Sequence, residues 1–245
     1  MMDEIRKIEN KIQKAFNKGT VDYQLLEDGD RILIALSGGK DSLELLRLMA
    51  RRARIYKPRI EVEAVHVVMD NIPYETDRTY LEEFCRENGV KLHILHTSFD
   101  ESTDARKTRC FLCSWNRRKV IFSFAQENGF NKVALGHHQD DILVTLLMNM
   151  TYEGSIQTMP PRLRLDNYAL TIIRPLCLVR EVDIRQLAVL LGFHSQKTLC
   201  PYEEQTRRTS MSQVFHDLEE MNPEARYSLW HSMGNIKQNL LPSVT

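Results

Sequence analysis

The sequence predicts an α/β protein with a doubly wound, mainly parallel five-stranded sheet and a helical C-terminal extension. Short apolar runs at 31–36 and 60–69 alternate with longer stretches whose apolar residues recur at helical spacing. Strands that alternate with helices in this way indicate βαβ units and a parallel sheet. After about residue 181 only the helical spacing continues, which predicts the extension.

The individual elements follow from this periodicity and from turn signals. A first helix is predicted at 3–18, because its isoleucines fall on one stripe, and Gly19 is typical of a helix C-cap. Strands are predicted at about 31–36, 60–69, 91–96, 132–135 and 169–173. Helices are predicted at about 42–54, 75–88 and 114–127, then one that ends near Met150, then 181–191, 206–220 and 223–236. We therefore expect an N-terminal helix at 1–24, a core domain at 25–195 and a helical extension at 196–245.

Composition and charge narrow the class of protein. The 245 residues are 42% hydrophobic and 27% charged, which is typical of a soluble globular protein. The formal net charge is zero, so no overall field draws the protein to nucleic acid, although a local basic surface is compatible with this balance. No run approaches the ~20 apolar residues that span a bilayer, and no signal peptide is visible. We expect a cytoplasmic protein without membrane contact.

The first strand runs into a loop that suits an anion. Its residues are Ser37, Gly38, Gly39, Lys40, Asp41 and Ser42. Glycines let backbone N–H groups converge, the following helix presents its positive end, and Lys40 and two hydroxyls add donors. The spacing is not that of a Walker A loop, and it lacks the third glycine of G-x-G-x-x-G. The competing interpretation is a tight turn with Ser42 as N-cap, which requires neither two glycines nor the lysine.

A second polar motif follows the strand at 132–135. It comprises Gly136, His137, His138, Gln139, Asp140 and Asp141. Ligands of a doubly wound sheet bind beyond the carboxyl ends of its strands, so both motifs should lie at one edge. An anion loop with a lysine, opposite a carboxylate pair, is what a nucleotide with Mg²⁺ requires. Acidic residues in a first helical turn are also favourable by themselves, and the histidines fit phosphate contact or packing equally well.

Five cysteines favour metal or reactive chemistry over a disulfide framework. Cys110 and Cys113 have chelating C-x-x-C spacing, which fits zinc, an iron–sulfur cluster or a redox dithiol. A third thiolate would come from Cys85, Cys177 or Cys200. We interpret Cys85 as a core residue, and Cys177 as either a core residue or a ligand of the site. Packing explains Cys200 least, because this residue stands in a polar loop.

A basic block surrounds the cysteine pair, since residues 105–120 contain no acidic side chain. Its cations are Arg106, Lys107, Arg109, Arg117, Arg118 and Lys119. Arg162, Arg164, Arg207 and Arg208 form smaller clusters elsewhere. Such a run is usually a solvated helix face, whereas a nucleic-acid interface would bring a polyanion beside the thiolates. Charge alone leaves both interpretations open.

Five motifs together resemble one known family. They are 37–42, 107–114, 135–141, Met159-Pro160-Pro161 and Arg174-Pro175-Leu176. In this order they resemble the tRNA 2-thiocytidine synthetase family (TtcA-like) of PP-loop N-type ATP pyrophosphatases, over about residues 25–240. The resemblance implies an adenine nucleotide alpha hydrolase-like fold, with 25–195 as the PP-loop ATP pyrophosphatase domain.

The resemblance also implies a reaction. Members of this family adenylate the C2 oxygen of a cytidine in the tRNA anticodon loop, replace it with sulfur, and release AMP and pyrophosphate. They carry a [4Fe–4S] cluster on three cysteines, which by position correspond to Cys110, Cys113 and Cys200, with Cys177 as the alternative. Glu203 stands where family members have a second cysteine after the third ligand. The sulfur donor would be a cysteine desulfurase or sulfide.

Residue roles follow from the resemblance and from the chemistry of the motifs. ATP would be held by the glycine loop at 37–42 together with His137, Asp140 and Asp141. Lys40, Asp41 and Asp141 are the expected catalytic residues, with Mg²⁺ on the two aspartates. The six cations of the basic block would bind tRNA, and exposed C-terminal helices would suit a homodimer. The alternatives are a PP-loop adenylating enzyme for another tRNA base or a small molecule, and a non-enzymatic ATP-binding module.

Overall fold

The computed structural model describes residues 2–72, 77–99, 109–194 and 207–242. The helices in these ranges are α1 (Met2–Asp22), α2 (Lys40–Ala53), α3 (Arg78–Asn88), α4 (Arg109–Glu127), α5 (Gln139–Met148), α6 (Glu181–Leu190), α7 (Arg207–Met221) and α8 (Ala225–Ser232). The strands are β1 (Asp30–Ala35), β2 (Ile60–Met69), β3 (Lys91–Thr97), β4 (Lys132–Ala134), β5 (Arg162–Arg164) and β6 (Thr171–Ile173). A π-helical turn, Asn149–Glu153, continues α5, and a 3₁₀ turn, Gln238–Leu240, follows α8.

The strands form one sheet in the order β3-β2-β1-β4-β6-β5. All neighbouring pairs are parallel except β5 with β6. The predicted α/β class and mainly parallel sheet are therefore confirmed, but the count of five strands missed β5. This strand is a three-residue edge segment, Arg162-Leu163-Arg164, and so short a segment has no apolar run by which to recognise it.

Apolar side chains cover both faces of the sheet, as a parallel sheet requires. One face packs against α1, α2, α3 and α6, with Ile12, Phe16, Leu46 and Ile184 among its fully buried residues. The other face packs against α4, which contributes Leu112, Ile121, Phe122 and Ala125. The helices on both faces hold the strands in place, and the strands in turn position the loops that follow their carboxyl ends.

A buried ion pair fixes the opposite end of the two central strands. Lys132, the first residue of β4, donates from Nζ to Asp30 Oδ2 at 2.7 Å and to the Leu25 carbonyl at 3.0 Å. Asp30 is the first residue of β1, and its other carboxylate oxygen accepts from Asn131 Nδ2. Both charged side chains are almost fully buried. Their mutual hydrogen bond offsets part of the hydration free energy that the two charges lose on burial. The pair holds β1 and β4 side by side.

Two of the helix boundaries that differ from the sequence-based expectation affect how the helices pack. Helix α1 continues through Gly19 to Asp22. Gly19 is buried, and a Cβ at this position would lie 3.0 Å from Cys177 Sγ. The glycine thus permits close packing inside the helix rather than ending it. Helix α4 begins at Arg109, before the predicted start at 114, so positions 110 and 113 lie within its first turns.

The chain divides into two compact units. The first, Met1–Gln139 with Pro160–Glu203, contains the sheet and its covering helices. The second comprises Asp140–Met159 and Glu204–Thr245, and its small core consists of Leu143, Val144, Met211 and Phe215. The sequence-based division at 24 and 195 stays a prediction. No helix of the described ranges is long and apolar enough to span a membrane.

Candidate functional site

The candidate site lies at the carboxyl ends of β1 and β4, where the strand order reverses. From β1 the chain goes outward to β2 and β3 on one side, whereas β4 and β6 lie on the other. Doubly wound sheets bind their ligands at this switch point. The glycine loop follows β1, and the motif that begins with Gly136 follows β4, as the sequence predicts.

The glycine loop is closed by its own hydroxyl groups. Gly38 adopts a φ of +90°, the left-handed region that favours glycine. The Ser42 hydroxyl donates to the Gly39 carbonyl at 2.9 Å and accepts from the Gly38 N–H at 3.2 Å. Ser37 Oγ lies 3.1 Å from Ser42 Oγ. Helix α2 is capped by Gly39, not by Ser42, and its first turn presents backbone N–H groups that lack intrahelical acceptors.

Lys40 is held between two carboxylates. Its Nζ lies 3.1 Å from Asp41 Oδ2 and 3.0 Å from Glu181 Oε1. Burial alone would lower the pKa of Lys40, but the two carboxylates outweigh it and raise the pKa above its ordinary value. Lys40 is therefore a fixed cation. The Glu181 contact was missed by sequence reasoning, because nothing in the first turn of a C-terminal helix marks it as a partner of a distant loop.

Gly136 brings the second motif against the glycine loop. A Cβ on Gly136 would lie 3.2 Å from Ser42 N and 3.3 Å from the Asp41 carbonyl group, both of which are backbone. Only a glycine fits there without moving the start of α2. Beside it, buried His138 places Nε2 3.9 Å from Asp41 Oδ1. The structure thus brings together Ser37, Lys40, Asp41, Ser42, Gly136 and His138.

Asp140 and Asp141 belong to the second unit and are paired there. Asp141 Oδ1 accepts from Arg208 Nη2 at 2.5 Å, and Asp140 Oδ1 accepts from Arg226 Nη2 at 2.7 Å. The carboxylates of Asp140 and Glu219 raise the pKa of Arg226 in spite of its burial. Sequence reasoning missed both arginines as partners, since they follow far along the chain. The expectation that Asp141 faces the glycine loop stays a prediction.

The cysteines fall into two groups. Cys85 and Cys177 are buried, and burial raises the pKa of each thiol to about 12. Both are therefore core residues, as we expected for Cys85. Cys113 is half-buried on α4 against the core, whereas Cys200 and the side chain of Cys110 lie outside what the structure describes. Within the described part no three metal-ligating side chains converge.

The structure describes only part of the basic block at 105–120. Arg106 and Lys107, and the side chain of Arg109, lie outside it. Arg117 is half-buried on α4, whereas Arg118 and Lys119 are exposed. Two aromatic side chains accompany them: Phe111 is 46% exposed and Trp115 is 51% exposed, with Lys119 Nζ 5.4 Å from the centre of the Trp115 ring. Exposed aromatic rings beside cations are typical of surfaces that bind unpaired bases.

Comparison with known proteins gives consistent results. A family model described as a PP-loop domain matches residues 5–198. The chain is 36% identical over 94% of its length to the tRNA-cytidine(32) 2-sulfurtransferase of Bdellovibrio bacteriovorus and covers 90% of that protein. It is 33% identical over 97% of its length to the protein of the same name from Cellvibrio japonicus and covers 80% of that relative.

Solved structures support the fold. The U34-tRNA thiolase NcsA of Methanococcus maripaludis, determined with its [4Fe-4S] cluster, has a TM-score of 0.78 at 24% identity, over 98% of this chain and 82% of that one. NMN synthetase from Francisella tularensis has a TM-score of 0.54 at 14% identity, over 97% and 98% of the two chains. At these identities the likeness concerns the fold alone.

The contact of Gly136 with the glycine loop is testable. Gly136→Ala should weaken the binding of inorganic pyrophosphate about tenfold, equivalent to about 1.4 kcal/mol, because the start of α2 must move to admit the methyl group. Isothermal titration calorimetry measures this directly. Gly234→Ala is the matched control, since the nearest atom to a Cβ there is 4.0 Å away. Equal affinity of the two variants would contradict the role assigned to this contact.

Proposed function

The chain belongs to the PP-loop domain family and, within it, to the tRNA-cytidine(32) 2-sulfurtransferases, and from this membership we propose that it thiolates cytidine in tRNA at the expense of ATP. The proposed reaction adenylates the C2 oxygen of a cytidine in the anticodon loop and replaces it with sulfur, giving 2-thiocytidine, AMP and pyrophosphate. The observation that carries the proposal is identity of 31–36% to proteins of this name over nearly the whole chain.

The glycine loop supplies the first half of this reaction. The first turn of α2 and the fixed charge of Lys40 suit the β- and γ-phosphates, which leave as pyrophosphate and gain charge as they do. Because Lys40 already lies between Asp41 and Glu181, the ammonium group is oriented before any phosphate arrives. Oxygen on C2 is a poor leaving group, and adenylation converts it into a phosphate ester. We propose Asp41 and Asp141 as ligands of Mg²⁺ or of its water shell, since carboxylate oxygens suit this ion.

The cysteines supply the second half. Positions 110 and 113 are three apart on α4, a spacing that puts two side chains on one face of a helix, and thiolates suit an iron–sulfur cluster. We propose Cys110, Cys113 and Cys200 as the ligands of a [4Fe–4S] cluster, which would supply the sulfur-delivering metal centre. Cys177 is unsuited, because its side chain is fully buried and its Sγ packs against Gly19 of α1.

The partners follow from the same reaction. The substrate is tRNA, and we propose the exposed side of α4 as part of its binding surface, where Phe111, Trp115, Arg118 and Lys119 are exposed. Arg106, Lys107, Arg109 and Arg117 complete the proposed set. We further propose a cysteine desulfurase or sulfide as sulfur donor, a cytoplasmic location, and a homodimer that forms through the C-terminal helices. Exposed Met221 and Tyr227 would suit such a contact.

Nucleoside analysis of tRNA tests the proposed function. Deletion of the gene in its own host should remove 2-thiocytidine from bulk tRNA, and the wild-type gene should restore it. Lys40→Ala should fail to restore it, because the loop loses the charge that neutralises the departing pyrophosphate. Lys91→Ala, an exposed lysine on β3, is the control and should restore it. Unchanged 2-thiocytidine in the deletion strain would reject the cytidine assignment.

Substitution of single cysteines tests the ligand set. After anaerobic reconstitution, Cys113→Ser and Cys200→Ser should lose most of the iron and sulfide that the wild-type protein holds. Cys177→Ala should retain both, with only a lower melting temperature, because this thiol packs in the core. If Cys177→Ala lost its iron and Cys200→Ser retained it, the third cluster ligand would be Cys177 instead of Cys200. A colourless protein with stoichiometric zinc would reject the cluster.

Removal of one exposed ring tests the proposed tRNA surface. Trp115→Ala should weaken tRNA binding roughly tenfold, since stacking of one base on an aromatic ring contributes about 1–3 kcal/mol. Trp115→Phe should retain most of the affinity because it keeps a ring. Tyr56→Ala removes an 80% exposed ring elsewhere and serves as the control in the same filter-binding assay. Similar affinities for Trp115→Ala and the control would exclude Trp115 from the interface.

A further inference from the structure

The first turn of α6 lies against both loops of the candidate site. The segment that leads into this helix is joined to the loop after β4, because the Gln139 N–H donates to the Val179 carbonyl at 2.9 Å. Glu181 is the first residue of α6, and its Oε1 lies 3.0 Å from Lys40 Nζ in the glycine loop. The start of α6 therefore forms a further side of the site, although it follows both loops by more than 30 residues in the chain.

The backbone that carries Glu181 is held from behind. Asp183 is almost fully buried and accepts a hydrogen bond from Lys11 Nζ of α1 at 2.7 Å. Ile184 and Leu187 are fully buried in the core that α6 shares with α1 and α2. A shift of the first turn of α6 would disturb all of these contacts. Glu181 thus reaches Lys40 from a fixed position.

The carboxylate of Glu181 is itself ionised and oriented. Burial alone would raise the pKa of Glu181, but the hydrogen bonds and charges of Lys40 and Arg185 outweigh it and lower the pKa below its ordinary value. Arg185 stands one helical turn further on, and its Nη2 lies 3.0 Å from the same Oε1 that contacts Lys40. The carboxylate is therefore fixed by its own helix as well as by the lysine.

This ion pair does more to fix a direction than to stabilise the fold. The side chains of Lys40 and Glu181 are 29% and 31% exposed, and ion pairs with this much solvent contribute little to stability. The buried residues of α6 already hold the helix in place. A lysine, however, carries its charge on a flexible four-carbon stem, and a ligand that binds it must otherwise order that stem.

We propose that Glu181 is a positioning residue, which holds the ammonium group of Lys40 ready for a phosphate at the glycine loop. Asp41 cannot do this alone, because it is the next residue on the same helix and restrains Lys40 from one side. Glu181 supplies the second point from a different helix. An ammonium group has three donors, so two carboxylates leave one donor for a phosphate oxygen. This role deepens the proposed function and rests on it.

Two substitutions of Glu181 separate orientation from charge. Both Glu181→Gln and Glu181→Ala remove a negative charge that repels pyrophosphate, but only glutamine keeps an oxygen that can accept from Lys40. Glu181→Ala should therefore bind inorganic pyrophosphate about fivefold more weakly than Glu181→Gln, in the range expected for ordering one long side chain. Isothermal titration calorimetry gives both affinities. Equal affinities would overturn the proposal.

The same pair combined with Lys40→Ala distinguishes positioning from a structural effect. Without Lys40 there is no ammonium group to orient, so the alanine and glutamine variants should bind pyrophosphate equally. A difference that persists without Lys40 would overturn the proposal, because it would arise from the fold. Glu87→Ala and Glu87→Gln make the same comparison at an exposed position of α3 and should not differ. If Glu181→Ala does not fold, Glu181→Ser replaces it, since serine is too short to reach Lys40.

These titrations need neither tRNA nor a sulfur donor, so their outcome is independent of thiolation. A difference between the two Glu181 variants that requires Lys40 would support the positioning role even if deletion of the gene left 2-thiocytidine unchanged. That combination would contradict only the proposed function. Loss of 2-thiocytidine on deletion, with equal pyrophosphate affinities of the two variants, would contradict only the role of Glu181.

Discussion

The backbone contact between Gly136 and the start of α2 is the constraint on which the candidate site depends. It requires β1 and β4 to end at the same level, and their register ensures this, since Ile34 pairs with Ala134. The buried pair of Asp30 and Lys132 fixes the same two strands at their other end. The N–H groups of the first turn of α2 are therefore in place before a ligand binds. Such preorganised dipoles stabilise developing charge without a reorganisation cost.

Existing ion pairs decide how a ligand meets the polar residues of the candidate site. Lys40, Asp140 and Asp141 each have an opposite charge at hydrogen-bond distance. The two carboxylates beside Lys40 take two of the three donors of an ammonium group, so they orient the group without using all of its donors. A metal ion at Asp140 or Asp141 would instead compete with an arginine that already binds the carboxylate.

Sequence reasoning recovered what local pattern encodes. The continuous apolar runs of β1 and β2 are typical of strands buried on both faces. The glycine loop and Gly136 were placed at the correct edge, because parallel strands all end there. It missed β5, a three-residue edge strand, and it ended α1 too early, at Gly19. It also missed Glu181, Arg208 and Arg226. These contacts join distant parts of the chain, and side-chain pairing of this kind leaves no periodic signal in a single sequence.

The faces of α4 suggest how a tRNA loop would be held. Successive residues of a helix are rotated by about 100°, so Cys113 and Arg117, four apart, lie on one side, whereas Phe111, Trp115 and Lys119 lie on another. If the proposed tRNA surface and thiolates are correct, a base that stacks on Trp115 differs from the base that meets Cys113. The bases of a single-stranded loop can be splayed apart in this way, but those of a paired stem cannot.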